Sequence, residues 1–348
     1  MQERALRKIL LIQAIEETDR PGEVLPLAER MEATRAVIGS SPPAVETQAG
    51  APLSSATEWF LIRRADILLR SLRTRSPGID NVLAVAGGAT SLDRGTLVLA
   101  FAVGVTLSFL DGGRGINIFA FPLIGLIAWN VLIYIVRLAD VRAERADRKR
   151  STSWFASFYA RWVRNRIDGL LGHSTRFNAP LAPGLRRFAG DWWDVAQPVF
   201  FMRARRLLHM AAALTALGLI AGYYIRGFVL RSAAGWESST LLGPQTAHAL
   251  IMMLYGPASF LSGIAIPSAD GLGALRWTAA SVGGGAAAAW VHLIAWTAGL
   301  YIVLPRLLAA LLSTFGLWKL SRRLAPPSGL SGYVRTLFAS ARDGNLQA

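Results

Sequence analysis

Four stretches of this chain hold no aspartate, glutamate, lysine or arginine: residues 95–110, 116–136, 207–225 and 286–304. They run to 16, 21, 19 and 19 residues, and a helix needs about 17–25 apolar residues to cross a hydrocarbon core of roughly 30 Å. An amphipathic helix of a soluble domain carries a charged outer face; these stretches have none. The pattern predicts an all-α integral membrane protein with four transmembrane helices. Asp-Gly-Gly-Arg-Gly at 111–115 has the composition of a turn, so the first two stretches are expected to form a tight hairpin.

The net charge of +15 raises the question of nucleic acid, and its distribution answers it. Residues 1–94 balance 12 basic against 12 acidic side chains, whereas 137–206 carry +9 and 306–348 carry +5. Lysine and arginine beside apolar spans belong on the inner, anionic side of a membrane. The expected partner is therefore the lipid bilayer and not nucleic acid. Both termini are placed in the cytoplasm, with outer loops at 111–115 and 226–285. The apolar run at residues 9–12 is interrupted by Gln13 and lacks a small-residue cleavage site after it, so no signal peptide is expected.

The chain divides accordingly. Residues 1–57 read as two cytoplasmic helices and a linker, with Ala5, Ile9 and Ile12 on one face of the first helix and Ala28, Met31 and Arg35 marking the second. Residues 58–94 form a juxtamembrane helical segment. Its helix over 58–73 sets Leu61, Ala65, Leu68 and Leu72 on one stripe and Arg63, Arg64 and Arg70 elsewhere. A transmembrane hairpin at 95–136 is followed by a basic cytoplasmic loop at 137–206 and a third transmembrane helix at 207–225. A periplasmic loop with short or re-entrant helices follows at 226–285, then the fourth helix at 286–304 and a basic cytoplasmic tail at 305–348. Within the outer loop, 246–267 is apolar but contains Gly256-Pro257, a helix-breaking pair. It is read as two short helices at the outer interface or dipping into the bundle.

Several residue groups are candidates for recognition or packing. Trp154, Phe155, Phe158, Tyr159 and Trp162 make an aromatic helical face beside Arg161, Arg164 and Arg166. Such a face suits the headgroup region, the core of a small cytoplasmic domain with Trp192 and Trp193, or a docked partner. Gly218 and Gly222 form a GxxxG, and Ala100, Gly104 and Ser108 recur every four residues. That spacing lets helices approach closely, either within the bundle or between copies in a homo-oligomer. Arg226, Trp236, Glu237 and His248 are the densest polar group near a span, suited to tying the outer loop down or to recognising an external ligand. Arg306, at the inner end of the fourth span, is expected to snorkel to phosphate headgroups as an interfacial residue.

Chemistry-bearing motifs do not occur. There are no cysteines, and the four histidines (His173, His209, His248, His292) lack ligand spacing. Neither a phosphate-binding GxxxxGK[ST] loop nor HExxH nor GxSxG is found. No catalytic residue, cofactor or metal site is expected, so the chain does not read as an enzyme.

Tyr224-Ile225-Arg226-Gly227, Gly235-Trp236-Glu237-Ser238, His248, Tyr255-Gly256-Pro257-Ala258 and Leu304-Pro305-Arg306-Leu307-Leu308, with Asn117 and Asn130 in the second span, carry a resemblance. Together they resemble an uncharacterised bacterial inner-membrane family, domain of unknown function 2868, over roughly residues 58–320. The resemblance implies a bacterial inner-membrane location and a cytoplasmic nucleotide-hydrolysing partner, a GTPase. Two functions are expected on these grounds. One is a non-enzymatic membrane scaffold that recruits that partner. The alternative is an oligomeric channel or transporter using the 246–267 segment.

Overall fold

The computed structural model describes residues 1–19, 21–38, 53–88, 91–110, 115–119, 121–144, 165, 179–230, 232–237, 243–277 and 287–345. The helices in chain order are α1 (Glu3–Thr18), α2 (Leu27–Ile38), α3 (Ser55–Arg75), α4 (Ile79–Ala86), α5 (Ser91–Leu107) and α6 (Phe121–Glu144). They continue with α7 (Ala182–Tyr224), α8 (Pro244–Ser262), α9 (Ala269–Ala274), α10 (Ala287–Ala298), α11 (Leu304–Arg322) and α12 (Gly329–Asn345). A two-stranded parallel ladder, β1 (Ile116–Asn117) with β2 (Ala234–Gly235), is the one sheet among the described residues. The regular structure of the described residues is otherwise helical.

Two helices are long and apolar enough to cross a membrane: Ala182–Val229, of 48 residues, and Ala287–Arg322, of 36. They contain the predicted third and fourth spans. The predicted first span corresponds to α5, of 17 residues, and the second to the apolar stretch Pro122–Val136; both fall short of that length. The second begins later than expected because Asn117 caps a turn, accepting the Phe119 N–H at 2.9 Å on its side-chain oxygen, after which Pro122 sits in the first turn of α6.

The chain forms two compact units, 1–90 with 152–204 and 314–348, and 91–151 with 205–313. In the first unit α1 is the central helix. Leu6 and every residue from Ile9 to Ile15, Gln13 included, are buried, so this stretch of the helix is covered on all sides rather than on the single face predicted. Asp19 turns the chain after it: its carboxylate accepts the Glu23, Val24 and Leu25 N–H groups at 2.9, 3.1 and 2.8 Å and pairs with Arg30. Around α1 pack α2, α3, α4, α12 and the first part of α7, whose Leu185, Phe188, Trp192, Ala196 and Val199 are buried. This periodicity corrects the reading of 182–206 as loop: it is helix, continuous with the third span. Trp192 gives its indole N–H to Ala86 O at 2.8 Å, and Trp193 stacks on Phe200 at 5.6 Å. The aromatic face at 154–162 lies outside the described residues.

In the second unit α5 and the later part of α7 meet backbone to backbone. A Cβ on Gly104 would stand 2.0 Å from Thr215 O, one on Gly218 2.1 Å from Phe101 O, and one on Gly222 2.0 Å from Ser108 Oγ. The two predicted small-residue repeats thus face one another within one chain. Residues 246–267 depart from expectation. Instead of breaking at Gly256-Pro257, α8 runs unbroken over 19 residues with Pro257 inside it, held by its buried Ala247, Ile251, Tyr255 and Ala258. It ends at Gly263, whose φ of 71° is the left-handed conformation that glycine adopts without strain. The fourth span likewise does not stop at Pro305. Helix continues to Arg322, and α12 follows, so the 305–348 tail is largely helical.

Polarity divides between the units. Every ion pair between described residues lies in the first. Among the described residues the exposed large apolar side chains lie in the second, save Leu27, Trp59, Phe315 and Trp318.

Candidate functional site

In the first unit, four helices bring one polar side chain each to a single buried point. Arg64 of α3 donates from Nε to Thr34 Oγ1 of α2 at 2.9 Å, and from Nη1 and Nη2 to the Glu16 carboxylate of α1 at 3.1 and 2.7 Å. Its Nη1 also donates to Tyr333 Oη of α12 at 2.8 Å, and the Tyr333 hydroxyl in turn donates to Glu16. Arg64 is 2% exposed, so this is a buried charge whose partners are all supplied by protein. Its place on the apolar stripe corrects the reading that set it elsewhere on the helix. Three residues after Leu61 and four before Leu68, it shares their face.

These groups floor a cleft of about 500 Å³ between α2 and α12. Leu27 and Met31 border it on one side, and Gly329, Gly332, Thr336, Leu337 and Ser340 on the other. Small residues on α12 keep it open: a Cβ at Gly329 or Gly332 would meet nothing within 4 Å. The cleft is within the size range of ligand pockets, apolar at its rim and hydrogen-bonding at its base.

Burial holds the Tyr333 hydroxyl well above its ordinary pKa; the Glu16 carboxylate adds to this, and Arg64 opposes it without reversing it. Burial disfavours the Arg64 cation, but Tyr333 and Glu16 more than offset this and raise its pKa. The folded state therefore keeps the tyrosine proton that the unfolded chain releases near pH 10. This contribution to stability is intact below that pH and is lost as pH rises toward the folded value. Alkaline unfolding of the first unit, followed by tryptophan emission, is expected to begin near pH 10 and to shift to higher pH in Tyr333→Phe. An unchanged midpoint would remove the assignment.

A second buried polar group sits in the second unit. Arg306 of α11 is 6% exposed. Its Nε donates to Asn130 Oδ1 of α6 at 2.6 Å, its Nη1 meets His209 Nδ1 of α7 at 3.2 Å, and its guanidinium lies over the Tyr134 ring at 5.4 Å. Facing a cation, His209 Nδ1 is the acceptor. Arg306 thus turns into the bundle instead of reaching outward, which corrects the snorkelling expectation. The neighbouring backbone explains the opening it occupies. Pro305 has no N–H for the carbonyl four residues back, that of Tyr301. The helix relaxes into a π turn over Gly299–Val303, and Tyr134 donates its hydroxyl to the Tyr301 carbonyl at 3.2 Å. A proline followed by arginine, on a span with an asparagine on its neighbour, was the available sequence signal.

The predicted outer cluster is assembled in part. Arg226, buried in the π turn Ile225–Val229 that ends α7, donates to the carbonyls of Ser108 and Gly115. It thereby ties the end of α5 to the start of β1. Trp236, 0% exposed, follows β2 and gives its indole N–H to Leu272 O at 2.8 Å, with Arg276 over its ring. Both side chains brace the ladder. Glu237 is exposed, and His248 is half-buried on α8, joined to the other three by no hydrogen bond among the described residues. His292, near the start of α10, accepts from or donates to the Tyr224 hydroxyl at 2.7 Å.

Among the described residues no group of His, Asp and Glu could hold a metal ion. No protein family's profile, no curated protein and no solved structure matches the chain.

Proposed function

We propose that the chain is a membrane-anchored scaffold. Its second unit is embedded in a bacterial inner membrane by four helices, α5, α6, the later part of α7, and α10 with α11. Its first unit stands in the cytoplasm as a docking module. The observation that carries this reading is the partition of polarity among the described residues: the ion pairs between them lie in the first unit, and all but four of the exposed large apolar side chains lie in the second. Water solvates the first kind of surface and lipid tails the second. The basic margins of the spans orient it with both termini inside. The α2–α12 cleft and the predicted aromatic face are the surfaces offered to a partner, and the resemblance implies that this partner is a GTPase.

Affinity capture with the detergent-solubilised full chain tests this. A nucleotide-hydrolysing protein is expected to be retained, and Leu27→Asp with Met31→Asp, or replacement of Trp154, Phe158 and Trp162 by serine, is expected to release it. Capture without any such protein, or capture indifferent to both sets, ends the docking proposal.

The channel or transporter reading draws on a separate observation, the Arg306–Asn130–His209 group on the apolar helices of the second unit. Ionisable residues within a bilayer commonly mark a pathway. Ion or solute flux into liposomes that is lost on Arg306→Met would favour it over the scaffold.

A further inference from the structure

At the end of α4 the first unit gathers more cation than anion. Glu3 of α1, 8% exposed, is the carboxylate there among the described residues. Both of its oxygens accept from Arg203 Nη2 of α7, at 2.7 and 2.8 Å. Arg7, one turn further along α1, brings its Nη1 to 3.7 Å from the same carboxylate. Arg203 lies over the Phe200 ring and Arg7 over that of Trp192. Both guanidiniums are pressed onto the Gly87-Gly88 backbone: a Cβ on Gly87 would stand 2.0 Å from Arg7 Nη1, and one on Gly88 2.7 Å from Arg203 Nη1.

Among the described residues the Nε and Nη1 of Arg7 and the Nη1 of Arg203, all shut off from solvent, meet no acceptor. The carbonyls that end α4 are engaged elsewhere. Those of Leu83 and Val85 take the Gly87 and Gly88 N–H groups, and that of Ala86 takes the Trp192 indole. Burial pushes the Arg7 pKa down; Glu3 opposes this, while Arg203 and Arg4 add to the fall. No acid stands at 89–90, and residues 152–178 of the same unit carry Asp168 against four arginines. Buried donors are almost always paired in native proteins. Here the surplus is of charge as well as of donors, which an anion would cancel and a water would not. Two planar forks side by side suit the several oxygens of a phosphate. The two side chains are 14% and 18% exposed, so an edge of each reaches the surface. Arg203 also stands four residues before Leu207 on one continuous helix, about 6 Å from the start of the apolar stretch. In the membrane reading above, lipid phosphates lie at that level.

We propose that Arg7 and Arg203, seated on Gly87-Gly88, bind a phosphate group, carried either by an anionic lipid headgroup or by a phosphate in solution. The site lies inside the first unit, so only the lipid as source rests on the membrane reading. In one arm of the test the full chain, purified in detergent and stripped of lipid, is melted in inorganic phosphate and in chloride at equal ionic strength. In the other, native mass spectrometry counts the phosphatidylglycerol it retains. Arg7→Gln removes one fork. Gly87→Ala displaces that fork with every charge in place, at a position whose φ of −77° alanine adopts freely, and serves if Arg7→Gln fails to fold. Arg63→Gln, an exposed arginine on α3, is the control. Phosphate is expected to raise the midpoint of the parent and of Arg63→Gln, with an apparent Kd about tenfold or more weaker in Arg7→Gln and Gly87→Ala. A soluble phosphate as source gives this shift with equal lipid counts in all four proteins. A lipid as source also strips phosphatidylglycerol from Arg7→Gln and Gly87→Ala. A parent that ignores phosphate and retains no more phosphatidylglycerol than these two variants overturns the site, and so does a phosphate response that they share in full.

Discussion

Arg64→Met is expected to destabilise the first unit by about 3–5 kcal/mol, the cost of leaving a buried carboxylate without its cation. The guanidinium is 2% exposed and ties Glu16, Thr34 and Tyr333 together. Its removal leaves the Glu16 carboxylate without a cation among the apolar side chains of α1, α2, α3 and α12, while the Tyr333 and Thr34 hydroxyls keep Glu16 and the Arg30 carbonyl as acceptors. Adding Glu16→Leu is expected to recover more than half of the loss, because an apolar pair of similar volume replaces a buried ion pair at little net cost. Thermal unfolding of the solubilised chain, read through the emission of buried Trp192, measures both. A single substitution costing less than about 1 kcal/mol would mean that water reaches the site and screens Glu16.

The second large effect belongs to the contact between α5 and α7. Gly218→Val is expected to cost about 3 kcal/mol or more, at or beyond the upper end of overpacking in a closed core. The first added carbon falls 2.1 Å from Phe101 O, a backbone atom that cannot rotate away. Separating the helices to admit it would also open the facing contacts of Gly104 and Gly222. Gly299→Ala, with nothing within 4 Å of its Cβ, should leave the midpoint unchanged. The comparison is made by thermal melting and by the monodisperse fraction in detergent. A Gly218→Val protein that melts with the parent would show that the helices do not meet there.

Much of this was legible in local spacing. The GxxxG and the four-residue repeat on α5 announced close approach, and the structure supplies the missing fact that each is the other's partner. Helix in 1–38 followed from apolar spacing and the proline before α2. Prolines were harder to read. Pro257 lies inside α8, and Pro305 opens a π turn without ending the helix. A proline forfeits one hydrogen bond and crowds one carbonyl, and packing around it decides whether helix survives. In α8 the buried Ile251, Tyr255 and Ala258 flank it; beside Pro305 the Tyr134 hydroxyl takes up the orphaned carbonyl.

The two buried arginines show where local reading ends. Arg64 occupies an apolar stripe and Arg306 follows a proline at the end of a span, so each position was visible in the sequence and each role was not. An arginine has a long stem and five donors, and its direction is set by where acceptors stand. Those acceptors come from α1, α2 and α12 for Arg64, and from α6 and α7 for Arg306. What the chain alone determined is its helical class, its uncharged apolar runs and the basic margins beside them, because these depend on side-chain chemistry repeated at short range. Tertiary structure decided which helices are continuous, which glycines oppose one another and where the buried cations point, because those outcomes depend on groups that only folding brings within reach.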